Sequence, residues 1–350
     1  MKKTIGTGII GFGLSGKVFH APFLHISQGF EIKKIVEQHE KESQLIYPYI
    51  DVVEDYKELL NDAEIELIVV CTPNTLHFQM VSDCLKAGKH VVVEKPFTPT
   101  SKEADELIKL AKSLDRKIFV YQNRRWDGDF LTIKKVLKTG VLGNIQEYEA
   151  HFDRFKPEVN SLAWREFPIP GAGILYDLGS HLIDQALHLF GKPISVKANI
   201  QSQREGGEAD DYFKLILNYK SLNVILSAGM LVEGIGPRFV IHGVLGSYVK
   251  FGIDPQEENL RTGRMPEGED WGSENPENWG MITIDYQDLN IDGSIETEPG
   301  NYMGFYDNVF DVLRNDGDMS VKTKEARNVI RLIELAFESS RTDKAIEIDF

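Results

Sequence analysis

From Thr4 to Tyr121 short apolar runs alternate with stretches whose apolar residues recur at helical spacing. Ile5–Ile10, Glu31–Val36, Leu67–Cys71, Val91–Val93 and Ile118–Tyr121 read as strands, and because they lack alternation they suit a parallel sheet covered on both faces. Helices are predicted between them, near Gly16–Ser27, Asp55–Leu60, Leu76–Ala87 and Ser101–Ser113, with Gly88 placed as a C-cap. Such βαβ repetition predicts a doubly wound domain. Beyond residue 123 the runs alternate apolar with polar, in Ile145–Phe152, Tyr212–Tyr219, Asn223–Ser227 and Arg238–His242, as antiparallel strands with one packed face do. Helices are expected near Asp129–Lys138, Ser180–Phe190, Tyr302–Leu313 and Thr323–Ser340. The fold class is therefore α/β: a Rossmann domain over residues 1–122, then an α+β domain with a large, open, mostly antiparallel sheet over 123–350. Between Asp254 and Gly280 eight acidic residues, three prolines and little periodicity predict a long solvated loop or edge contact.

A chain of 350 residues is long enough for two proper cores. Its net charge of −15 argues against nucleic acid or an anionic membrane surface as partner. Two cysteines, Cys71 and Cys84, both in apolar patterns, favour a reducing compartment and exclude a disulfide framework. With neither an apolar leader nor a spanning stretch at the start, a cytoplasmic location is expected. No metal is expected.

Gly11-Phe12-Gly13-Leu14-Ser15-Gly16 follows the first strand and opens a helix, which is the context that a dinucleotide turn requires. Gly11 permits the tight turn, Gly13 lets backbone amides approach a pyrophosphate, and Gly16 allows close packing of helix on sheet. Glu37 ends the second strand about 21 residues beyond Gly16, near the roughly 20 expected of an acid that binds the adenosine ribose. The residues after it are Gln38, His39, Glu40 and Lys41, with no arginine for a 2′-phosphate. NAD or NADP is thus the expected cofactor, with a lean to NAD.

Glu94-Lys95-Pro96 closes the next strand and sets Lys95 at the carboxyl edge of the sheet, where ligands of such domains bind. A lysine there can hydrogen-bond a reacting oxygen, and it can also be a solvated strand end. Farther on, in Gly171-Ala172-Gly173-Ile174-Leu175-Tyr176-Asp177-Leu178-Gly179-Ser180-His181, Asp177 and His181 are four apart, on one face if helical, so that the carboxylate can orient the imidazole. A helix cap with a satisfied polar pair has the same spacing.

With these motifs together, in this order and over the whole length, the chain resembles the glucose-fructose oxidoreductase, inositol dehydrogenase and rhizopine catabolism (Gfo/Idh/MocA) family. The stretch Asn123–Phe130 looks like the branch that contains scyllo-inositol dehydrogenases. The resemblance implies that Lys95, Asp177 and His181 are the catalytic set, that Thr72, Pro73, Asn74 and His77 line the cofactor wall with Glu94, and that the open sheet often forms a dimer face. A homo-oligomer, dimer or tetramer, is therefore expected. Some relatives in that branch carry an arginine after the position of Glu37 and use NADP, where this chain has Gln38. For a sugar or cyclic polyol the contact candidates are Tyr121, Arg124, Trp126, Asp127, Trp164, Arg165 and Tyr176, which combine hydrogen-bonding groups with apolar faces.

The expected activity is hydride transfer between nicotinamide and a secondary hydroxyl, with His181 as base, Lys95 holding the oxygen and Asp177 orienting His181. Two alternatives stand beside it: a dinucleotide or sugar sensor without turnover, and a redox-neutral enzyme that uses bound NAD transiently to cleave glycosides.

Overall fold

The computed structural model describes residues 3–38, 41–160, 163–234 and 236–350, which fold into two units. The first contains Met1–Asn123, Gln256–Trp271 and Asn301–Arg327, and the second contains Arg124–Pro255, Gly272–Gly300 and Asn328–Phe350.

In the first unit six strands, β1 (Ile5–Ile10), β2 (Phe30–Val36), β3 (Asp51–Val53), β4 (Leu67–Val70), β5 (His90–Val93) and β6 (Ile118–Val120), form one parallel sheet in the order β3-β2-β1-β4-β5-β6. Every residue of β1 and β4 is buried, which is why their sequences are unbroken apolar runs. Helices α1 (Ala21–Ile26), α3 (Lys57–Asn61), α4 (His77–Lys86) and α5 (Ser101–Ser113) fall where the periodicity places them. A capping box between Thr100 and Glu103 fixes the start of α5. Two short elements carry no such pattern: β3 is a partly exposed edge strand of three residues, and α2 (Glu42–Ile46) is little more than one turn, with Leu45 exposed.

Two late segments belong to the first unit together with residues 1–123. They carry α8 (Gln256–Arg261) and α9 (Met303–Asn315). Around α9 the Tyr306 ring stacks on Phe23 at 6.5 Å and meets Phe30 edge-on at 5.5 Å, while Phe310 meets Phe30 at 6.1 Å. Arg314 grips Glu66 with two hydrogen bonds of 2.7 and 2.6 Å.

The second unit is built on nine strands: β7 (Ile145–His151), β8 (Ser195–Gln201), β9 (Tyr212–Asn218), β10 (Asn223–Gly229), β11 (Phe239–Gly243), β12 (Gly246–Lys250), β13 (Gly280–Tyr286), β14 (Leu289–Ile295) and β15 (Ile346–Glu347). Their order is β14-β13-β12-β11-β7-β10-β9-β8-β15, with only β7 and β10 parallel. Inward residues Tyr148, Leu215, Leu226 and Ile241 belong to one core with Leu182, Ile183 and Ala186 of α7 (Ser180–Phe190) and Leu332, Ile333 and Ala336 of α10 (Thr323–Thr342). Helix α6 (Gly128–Thr139) ends on Gly140 in the left-handed conformation. Among the described residues no helix is long and apolar enough to cross a membrane.

The acidic stretch is solvated only in part: Glu258, Glu267, Glu269, Asp270 and Glu277 are exposed, but other residues turn inward. Gln256, Leu260, Trp271 and Asp254 are buried, and the Asp254 carboxylate accepts the Gly128 amide at 2.7 Å, at the start of α6. Glu274 pairs at 3.0 Å with Lys250, which is fully buried, so charges that read as solvent-seeking serve inside the protein. Removing one partner strands the other away from water. Lys250→Met should therefore lose about 3–5 kcal/mol in urea unfolding, and Lys250→Met with Glu274→Leu should recover most of it. Equal stability of the single variant and the native protein would show that the pair is solvated.

Candidate functional site

In the first unit the strand order reverses between β1 and β4, whose carboxyl ends therefore flank the position at which such sheets bind ligands. The glycine turn follows β1 and the Cys71–Asn74 loop follows β4. Gly11 has φ +94°, open to glycine, and a Cβ there would press on the Cys71 carbonyl oxygen at 3.1 Å. A Cβ on Gly16 would collide with the Gly11 carbonyl, so the turn closes only as glycine. At Gly13 a Cβ would meet nothing within 4 Å; Gly13 and Leu14 face open space. A five-residue π-helical turn, Gly16–His20, continues directly into α1. Among the described residues the buried Thr72 Oγ1 has no hydrogen-bond partner.

Glu94, at the end of β5, organises this edge. Its Oε1 accepts hydrogen bonds from Ser15 Oγ and, at 3.0 Å, His20 Nε2, while Oε2 accepts the Lys95 amide at 2.9 Å. Burial alone would raise its pKa, but His20, Ser15 and the Lys95 charge outweigh that and push it down to about 2. His20 Nδ1 lies 2.6 Å from the Tyr306 hydroxyl. The His77 nitrogens lie 3.0 Å from backbone carbonyls on both sides, Pro96 and Thr72; burial lowers its pKa, and the neutral ring donates to one of the two carbonyls according to its tautomer. The peptide between Lys95 and Pro96 is cis.

In the second unit the Asp177 segment forms a π-helical turn, Leu175–Gly179, that runs into α7 and its buried His181. Single π-turns inside helices are frequent at functional sites. Asp177 Oδ1 lies 3.5 Å from Arg165 Nε, and Arg165 stacks over the Trp164 ring at 4.7 Å. Arg125 holds Asp184 on α7 with two hydrogen bonds of 2.7 Å, and Gln185 donates to the Arg124 carbonyl at 2.9 Å. The same turn pairs Arg124 with Asp127 at 3.2 Å and sets the Arg124 guanidinium over Phe152 at 4.9 Å.

The family model described as "Oxidoreductase family, NAD-binding Rossmann fold" matches residues 5–122, and that described as "Oxidoreductase family, C-terminal alpha/beta domain" matches 134–348. The chain belongs to the Gfo/Idh/MocA oxidoreductase family. This Gfo/Idh/MocA chain is 43% identical over 346 residues to scyllo-inositol 2-dehydrogenase (NADP(+)) IolW of Bacillus subtilis, covering 99% of this chain and 96% of that one. It is 44% identical over 341 residues to the oxidoreductase YdgJ of Escherichia coli, covering 97% and 98%. A solved structure, the oxidoreductase yvaA from Bacillus subtilis, superposes with a TM-score of 0.95 at 43% identity over 99% of this chain and 100% of that one.

The open face at Gly13, the helical turn behind it and the unpartnered Thr72 hydroxyl fit the dinucleotide that this family's Rossmann domain binds. Other candidates also meet partners within the protein. Glu37 accepts the Glu42 and Ser43 amides, each at 3.0 Å, and the Ser43 hydroxyl, so both its oxygens cap α2. His39 and Glu40 lie outside the described residues. The Tyr121 ring is buried beside His20 and Phe305, and its hydroxyl donates to the Phe19 carbonyl at 2.8 Å. Arg124, Asp127, Trp126, Trp164, Arg165 and Tyr176 all belong to the second unit with Asp177 and His181, whereas Lys95 belongs to the first.

Sequence reasoning overlooked His20 and the Arg125–Asp184 pair. His20 stands four residues after Gly16, a spacing open to inspection, but nothing local links Arg125 to a residue 59 positions away.

Gly13→Val should fold like the native protein, since a Cβ there meets no protein atom within 4 Å, and should lose dinucleotide binding in calorimetry because the added methyls occupy the space of the pyrophosphate. Unchanged affinity would remove this turn from the cofactor site.

Proposed function

We propose that this protein is an NAD(P)-dependent dehydrogenase that exchanges hydride with a secondary hydroxyl of an inositol-like polyol or sugar. The observation that carries the reading is the second unit's own geometry: Asp177 and a buried His181 on consecutive helical turns, with α7 tied to a turn that bears Arg124 and Asp127. The 43% identity with an enzyme named for scyllo-inositol supports the substrate class.

When bound, the nicotinamide supplies the site that accepts or gives hydride. His181 takes the hydroxyl proton in oxidation and returns it in reduction. Lys95 donates a hydrogen bond to the same oxygen, which gains negative charge as its proton leaves. Asp177 orients the imidazole and stabilises its protonated form. Trp164 and Arg165 offer a ring face and donors of the kind that polyols need. Both cysteines are free thiols, in keeping with a reducing cytoplasm.

The lean to NAD rested on a carboxylate open to a ribose, and Glu37 instead caps α2. We therefore expect NADP to serve at least as well as NAD, as the name of the Bacillus subtilis relative also suggests. The ratio of kcat/KM for the two cofactors measures this; a tenfold or greater preference for NAD would return the ribose to Glu37.

Lys95→Ala and His181→Ala should each lower kcat at least ~100-fold while dinucleotide affinity is retained. Because both act on one hydroxyl, the double variant should fall little below the worse single one. Single-turnover hydride transfer with scyllo-inositol and cofactor saturating is the measurement. Near-normal rates in both single variants would overturn the assignment. Product formed without net change in reduced nicotinamide would identify the redox-neutral chemistry instead.

A further inference from the structure

The loop between β8 and β9 ends on two consecutive aspartates, Asp210 and Asp211, that face different parts of the second unit. Asp210 grips the start of the π-turn twice: its backbone carbonyl accepts the Ile174 amide at 2.8 Å, and its carboxylate Oδ2 accepts the Leu175 amide at 2.8 Å. Its other oxygen fills the space above Gly173, where φ is +85° and a Cβ would overlap the carboxylate. Gly173 in turn receives the Asp177 amide on its carbonyl at 3.1 Å and donates its own amide to the Arg165 carbonyl at 3.1 Å. A helix begins with amides that have no partner in the helix, and here a distant carboxylate supplies one.

Asp211 secures the loop itself. It accepts the Gln203 amide at 2.6 Å, the Arg204 amide at 3.0 Å and Arg204 Nε at 2.9 Å. From there the buried Arg204 guanidinium reaches Glu166 at 2.5 Å, in the turn that carries Trp164 and Arg165. One loop therefore braces both the Asp177 segment and the Trp164–Arg165 turn, although sequence places them 31 or more residues upstream of Asp210.

We propose that Asp210 is a positioning residue for Asp177 and His181, holding the π-turn by its hydrogen bonds to the first amides. The proposal rests on the dehydrogenase reading for its effect on turnover but not for its effect on the turn. Burial raises the Asp210 pKa to about 6, with neighbouring Asp211 adding to the rise against the amides that oppose it. The other charged groups nearby are Glu208 in the same loop and Arg341 of α10, which line one cavity with Asp210, and Arg204, which is already paired with Asp211 and Glu166. Because burial holds this carboxyl above the ordinary aspartate value, ionisation costs the closed turn more than an opened, solvated one, so protection at Leu175 is greatest at low pH and falls as pH rises to about 6.

The test compares Asp210→Ala, Asp210→Asn and His181→Ala by amide hydrogen exchange over residues 173–181 and by kcat with scyllo-inositol. Asp210→Ala should lose protection and kcat at least about tenfold each, because a buried amide loses its acceptor, with dinucleotide affinity unchanged. Asp210→Asn keeps an acceptor oxygen and should restore most of both at pH 8, but without the downward step in protection that the native protein shows as pH rises to about 6. Native protection in Asp210→Ala, or the same step persisting in Asp210→Asn, would overturn the proposal. Should Asp210→Ala fail to fold, the step in Asp210→Asn decides alone. Loss of protection together with an active His181→Ala would uphold the positioning and overturn the catalytic reading, whereas an inactive His181→Ala beside a fully active, unprotected Asp210→Ala would overturn the positioning of the catalytic groups.

Discussion

The first unit depends on one buried carboxylate. Glu94 receives Ser15 from the glycine turn, His20 from the turn that follows it and the amide of Lys95 from its own strand end, so two segments far apart along the chain share a single anchor. Burying an ion is costly unless its lone pairs are met, and here they are met by donors that the ligand-binding edge has to hold in place anyway. Because Glu94 titrates at about 2, the anchor is fully charged at every pH at which the protein would work.

The second unit solves the same problem with more parts. Helix α7 is held sideways by Arg125 on Asp184 and by Gln185 on a backbone carbonyl, and the π-turn before it is held by Asp210. Each contact satisfies a polar group that is otherwise stranded, and together they restrict the segment that carries Asp177 and His181, the side chains to which we assign the chemistry. The glycines at 171 and 173, both at positive φ, let the chain enter this turn at an angle that other residues resist.

Much of this was legible beforehand. The boundaries of β1 and of α5 and α7 coincide with the apolar runs and periodic stretches, because burial on both faces or on one stripe leaves a direct mark on residue choice. The glycine turn and the order of motifs were equally plain. What was not legible depends on which partner a side chain takes, five or six residues on for Glu37 at α2 and much farther for Tyr121 in the core, the partly internal charges of 254–280 and Asp210 on Leu175. A carboxylate reads the same in sequence whether it meets a ribose, an amide or water. Strands β13 and β14 also escaped notice: β14 is largely exposed and has no buried face to impose alternation, while β13 carries a short one, with Ile282 in the core between exposed Met281 and Thr283.

Because α9 supplies Tyr306 and Phe310 to the wall formed by Phe23 and Phe30, the Rossmann unit is topologically open until Arg327 has been made. At synthesis rates of about 5–20 residues per second, the ribosome needs roughly 10–40 s to add the stretch from Asn123 to Arg327. Throughout that interval the nascent sheet carries an uncovered aromatic patch, and His20 waits for the hydroxyl that completes its contacts. The protein's amino-terminal half is thus first to be translated yet among the last to be finished, an order that favours chaperone shelter during synthesis over folding one domain at a time.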